Sequence, residues 1–121
     1  LITLSFNKAD TVPDLYVTLA VYQRHNGNLE TEYSSLVKAR NIYNELLAEN
    51  SCKLIDVRRS IAINLEARGR LYECLKEWAE IREMEKLVFG EITIQVGRSE
   101  RMIGNMYAQL DKHIQGTYWS T

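Results

Sequence analysis

Residues of like character recur at a spacing of 42 along this chain, and that spacing constrains its fold more tightly than any other feature. Leu19-Ala20, Ile61-Ala62 and Ile103-Gly104 coincide, and seven residues after each small residue come Gly27, Gly69 and Asp111. Leu29, Leu71 and His113 follow two positions later, and Val12, Leu54 and Val96 share a phase ahead of them. A large apolar residue, a small one and then a turn residue is what a helical hairpin requires. The small residue admits the neighbouring helix and the turn residue ends the first. Repeats of this length stack as helix pairs, and such stacks bind other proteins more often than they do chemistry.

The expected units are residues 12–50 and 51–91 as two repeats and 92–121 as a partial third. Residues 1–8, with Leu1, Ile2 and Leu4, read as the end of a preceding helix, so the chain is expected to be a fragment of a longer array. The first helix should open near Pro13, whose missing N–H costs nothing in a first turn, and end at His25. Asn26-Gly27-Asn28 is the turn, and a second helix carries Leu36, Val37, Tyr43 and Leu46 at helical spacing. Asn50-Ser51 marks the next boundary, with Ser51 as a candidate N-cap. Helices follow over about 53–68 and 71–89, the latter burying Leu71, Leu75, Trp78, Ile81 and Val88. Another runs from near Thr93 to Leu110, and the segment from Lys112 to Thr121 is ambiguous. Short connections imply antiparallel neighbours.

The pattern resembles tetratricopeptide repeats. The first-helix signature is matched by Ile61-Ala62-Leu65-Gly69 and by Ile103-Gly104 with Tyr107, and the second-helix pair of a small residue and an aromatic by Cys74 and Trp78. At the Cys74 position the first copy has Glu32 instead. The period exceeds the common one of about 34 residues and is similar to that of the kinesin-light-chain type. HEAT and armadillo repeats also have periods near this length; the placements of Gly69 and Gly104 favour the tetratricopeptide resemblance. It implies an all-α fold, a right-handed α-α superhelix (solenoid) of antiparallel hairpins, with Ala62 and Gly104 buried at helix contacts.

Composition narrows the function. Fifteen basic against sixteen acidic residues, a net charge of −1, speak against nucleic acid or a membrane surface as partner. No apolar run approaches the roughly 18 residues that span a bilayer, and with no N-terminal signal pattern a cytoplasmic location is expected. Cys52 and Cys74 have no second ligand at metal spacing and read as half-buried helix residues; no metal and no cofactor are implied. Phosphate loops, nucleophile elbows and paired-histidine motifs are missing, so the chain is not expected to be an enzyme. His25 and His113 read as surface or capping residues, and Glu83 and Glu85 as surface acids pairing with Arg82 and Lys86.

By the resemblance, the first helices line a concave groove. Counting from the small residue, the groove positions are Asp14, Val17 and Val21, then Asp56, Arg59 and Ile63, then Arg98, Arg101 and Asn105. Arg59, Arg98, Arg101 and Asn105 suit an acidic or carboxylate-bearing peptide, and Val17, Val21 and Ile63 an apolar side chain beside it. The competing assignment has these arginines solvating a helix or pairing with Asp56 and Glu100. The expected function is a scaffold or adaptor that binds a protein or peptide partner, alone or as part of a larger complex. The alternatives are a packing element of a large assembly and an accessory helical domain of a larger enzyme.

Overall fold

The computed structural model describes residues 2–46 and 51–119, with side chains within 12–45 and 52–114. Among these residues the chain forms five helices and no strand: α1 (Ile2–His25), α2 (Leu29–Leu46), α3 (Ser51–Ala67), α4 (Leu71–Phe89) and α5 (Ile94–Trp119). The fold is all-α. Each helix packs chiefly on the one before and the one after it. Consecutive helices run antiparallel: Arg24 near the end of α1 meets Glu32 near the start of α2, and Arg68 after α3 meets Glu30.

The first two corners are built alike. Gly27 and Gly69 adopt φ of 79° and 74°, a left-handed conformation that only glycine enters without a Cβ penalty. In the first corner Asn28 N–H donates to Gln23 O at 2.8 Å and Gly27 N–H to Arg24 O at 3.0 Å. In the second, Arg70 N–H donates to Leu65 O at 2.8 Å and Gly69 N–H to Glu66 O at 3.0 Å. This is the Schellman pattern that satisfies the last carbonyls of a helix, made twice at the same offset. The α4–α5 corner differs. Gly90 takes φ of 101°, and Thr93 caps α5 by accepting from Val96 N–H at 3.3 Å.

Core positions repeat with the corners. Glu32, Ser35, Leu36, Ala39 and Tyr43 on α2 are buried, and so are Cys74, Glu77, Trp78, Ile81 and Glu85, their counterparts on α4. Glu32 is buried although charged because Asn64 Nδ2 donates to it at 2.8 Å and Arg24 Nη1 at 3.3 Å. Ile61, Ala62 and Leu65 of α3 sit between these two helices in one apolar cluster.

Several expectations are corrected. No break separates residues 1–8 from the first helix as far as the chain is described: α1 is one helix from Ile2, with Pro13 inside it. Pro13 is fully buried, in the phase of the fully buried Ile55, and the helix continues through it despite the missing N–H. The turn expected at Asp111 is absent. Without a glycine to enter the left-handed region, α5 runs on to Trp119, and His113 lies within it. Ala62 is buried as expected, but Gly104 is exposed, and a Cβ built on it meets nothing within 4 Å. Among the described residues no helix folds back to cover that side of α5. Val88 is exposed rather than buried. Asn50 lies outside the described residues, and Ser51 is the first helical residue of α3. Neither cysteine is half-buried: Cys52 is exposed, and Cys74 is enclosed with its thiol donating to Ala62 O at 3.2 Å. Burial pushes that thiol up to about 11.

Candidate functional site

α3 and α5 are brought side by side by α4, and they run parallel: Gln109 Nε2 donates to Glu66 Oε2 at 3.1 Å, and Arg59 shares a cleft with Arg101. The cleft is about 240 Å³. Arg59 and Ile63 of α3 form one wall, and Arg98, Ser99, Arg101 and Met102 of α5 the other, over Trp78 of α4. Four of the seven residues expected in a groove therefore meet here: Arg59, Ile63, Arg98 and Arg101. Asn105 is exposed on α5 but outside the cleft. Val17 is half-buried against the core, and Val21 projects from α1 at 64% exposure; neither lines the cleft.

The arginines are not equivalent. Arg59 Nε donates to Glu85 Oε2 at 3.1 Å, with Nη2 on the same oxygen, and Nη1 reaches Asp56 Oδ1 at 2.9 Å. Glu85 is fully buried, and its other oxygen accepts the Ser99 hydroxyl. This corrects the expectation of a surface acid. Only Glu83 is exposed, pairing with Lys86 at 3.4 Å and Arg82 at 3.7 Å. A buried carboxyl group needs partners for both oxygens, and Arg59 and Ser99 supply them. Arg59 is thus a structural cation, as the Asp56-paired assignment foresaw. Arg98 and Arg101 are exposed, and neither has an ion-pair partner among the described residues. No bond to Glu100 forms for either among them.

Trp78, Ser99, Met102 and Glu85 were missed as site residues. Trp78 and Glu85 lie seven apart on one stripe of α4, with Ile81 between them, so the signal for a buried Glu85 was present in the spacing. Ser99 and Met102 flank Arg98 and Arg101 on α5 and carried no chemical signal of their own.

What the cleft offers chemically is an apolar floor and wall, from Trp78, Ile63 and Met102, beside two uncommitted guanidinium groups. Away from it, Arg58 forms a second ionic cluster with Glu77 at 2.9 Å and with Glu80. Hydrogen bonding to Glu77 holds Arg58 above its ordinary range against the opposing effect of burial. No helix among the described residues is long and apolar enough to cross a membrane. No family model matches the chain, and searches of curated proteins and of solved structures find no match.

Proposed function

We propose that this chain is a protein-recognition module of tetratricopeptide-like construction, its hairpins forming part of a right-handed superhelix. In this reading the cleft between α3 and α5 receives a short peptide segment. An acidic side chain or terminal carboxylate lies across Arg98 and Arg101, and an apolar or aromatic residue rests on Trp78, Ile63 and Met102. The observation that carries the reading is the pair of unpaired arginines on α5 beside an apolar wall. Arginine gives charge-assisted, bidentate bonds to carboxylates, and an apolar floor lowers the local dielectric around them. Asp56 and Glu85 offset two of the three arginine charges near the cleft, so a singly acidic motif fits better than a run of acids. The two free cysteines fit a reducing, cytoplasmic setting.

The test is binding of a fluorescent acidic-aromatic peptide library to the wild-type chain and to an Arg98→Glu/Arg101→Glu double variant. Capture by the wild type that weakens with salt and is lost in the folded variant is the expected result. Capture undiminished in the double variant, or none at any ionic strength, removes the cleft as the binding site. Arg59 is unsuitable for this test, since removing it strands the buried Glu85 at a cost of roughly 3–5 kcal/mol.

A further inference from the structure

The first corner carries a reactive pair that the second lacks. Asn26-Gly27 is the only Asn-Gly step in the sequence, and every other asparagine precedes a residue with a side chain. An asparagine amide next to glycine is open to attack by the following backbone nitrogen, because glycine has no Cβ to block the approach. In the equivalent corner Arg68 precedes Gly69, so that corner has no amide to attack. The reaction needs only base and water. The Gly27 nitrogen loses its proton and bonds to Asn26 Cγ; the bond from Cγ to the side-chain nitrogen breaks, and that nitrogen takes a proton and leaves as ammonia. Water then opens the five-membered succinimide at one of its two carbonyls, giving aspartate or isoaspartate at position 26.

The folded corner withholds the attacking nitrogen. Asn26 N–H donates to Tyr22 O at 3.0 Å, Gly27 N–H to Arg24 O at 3.0 Å and Asn28 N–H to Gln23 O at 2.8 Å. A hydrogen-bonded backbone amide gives up its proton to base only when the bond opens. Bulk does not protect the pair: Asn26 and Gly27 are exposed, and a Cβ built on Gly27 meets nothing within 4 Å. The bonds are instead held closed from outside the turn. Asn64 Nδ2 on α3 donates to Leu29 O and to Glu32 Oε1, both at 2.8 Å, and Arg24 Nη1 reaches the same Glu32 oxygen from α1 at 3.3 Å. Through these bonds α3 clamps the start of α2 against the end of α1.

We infer that Asn26 is a self-modification site gated by this corner: the closed turn is inert, the open turn deamidates, and the product holds it open. Either product places a carboxylate just past the end of α1, where the helix presents its negative pole. Isoaspartate also lengthens the main chain by one methylene, which moves Asn28 N–H off Gln23 O and breaks the Schellman pattern. The α1–α2 hairpin thereby keeps a lasting chemical record of having opened. The site is separate from the peptide cleft, and the inference does not depend on that reading.

The experiment follows aspartate and isoaspartate at position 26 by peptide mapping. The whole chain is aged at mildly alkaline pH, folded and in urea, beside a free peptide of residues 20–34. The expected result is deamidation about tenfold slower in the folded chain than in the peptide, with urea removing the difference. Asn64→Ala should speed the folded chain about threefold and leave its rate in urea unchanged, with the thermal midpoint checking that it folds. In the modified chain, amide exchange at Asn28 should rise, while Arg70, its counterpart in the second corner, stays protected. A folded wild type that reacts as fast as the peptide overturns the inference, and this comparison decides even where Asn64→Ala does not fold. A folded Asn64→Ala chain that reacts at the wild-type rate overturns the clamp. Protection retained at Asn28 after modification overturns the claim that the product holds the corner open.

Discussion

α3 and α5 carry nearly the same signature and live in different surroundings. Ile61-Ala62 is followed by Gly69, and Ile103-Gly104 by Asp111 at the same distance. α3 ends at a Schellman corner and lies between two helices, while α5 continues through Asp111 for 26 residues in all and is covered by α4 on one side only. At the corner position α3 is followed by a glycine, whose left-handed conformation lets the chain reverse and bring back a covering helix; α5 has an aspartate there, and the helix continues through it. The small residue shows the consequence: Ala62 is enclosed, and Gly104 faces open space. In a helical repeat, a small residue is buried because a corner downstream returns a partner to it, and its size alone does not secure burial.

The comparison can be broken first at the isoleucines. Ile61→Ala should cost about 4 kcal/mol and Ile103→Ala about 2 kcal/mol, both by urea unfolding, because the first cavity is enclosed on two sides. Equal costs would mean that α5 is as well covered as α3. The helix that returns over α3 also brings Cys74, a titratable probe of that seam. Its thiol ionises near 9.0 when free and near 11 in the fold. The folded pKa is raised, so its contribution is complete below pH 9 and is lost as pH rises toward 11, up to about 2–3 kcal/mol. Cys74→Ala should therefore show a shallower alkaline decline in stability than the wild type over that window; parallel declines would show that the thiol is not shielded.

At the corners, Gly69→Ala should destabilise by about 1–2 kcal/mol, the penalty of a Cβ in the left-handed region. The smallest effect carries the opposite sign. Gly104→Ala should stabilise by about 0.5–1 kcal/mol, as expected for glycine in an open helix interior. A loss on adding that methyl would place another helix against Gly104.

The helices and the two glycine corners were legible in the sequence because they rest on local rules: apolar residues at helical steps and a residue able to take positive φ. The continuation through Asp111 was not, because aspartate serves either in a turn or within a helix, and the choice is made by packing. Pro13 misled for a similar reason: it suits a first turn, yet here it is buried within a longer helix. Four of the residues expected in a groove from the resemblance meet in one cleft, since repeat position fixes which face of a helix a side chain occupies. Which of the arginines is uncommitted could not be read that way. Arg59 and Glu85 lie 26 residues apart on different helices, and only their packing joins them.

The two buried carboxylates have a consequence for how the molecule melts. Glu32 on α2 is held by Arg24 before α2 and by Asn64 on α3; Glu85 on α4 is held by Arg59 on α3 and Ser99 on α5. A stack in which each unit feels only its neighbour behaves as a one-dimensional chain and frays from its ends. Each of these acids bonds to both neighbours of its own helix, tying the helices on either side of it to a single side chain. Removing either end of such a tie leaves a buried carboxyl group short of a partner, so the helices it spans lose their order together. The stack is thereby drawn from the statistics of independent links toward those of a single all-or-none transition.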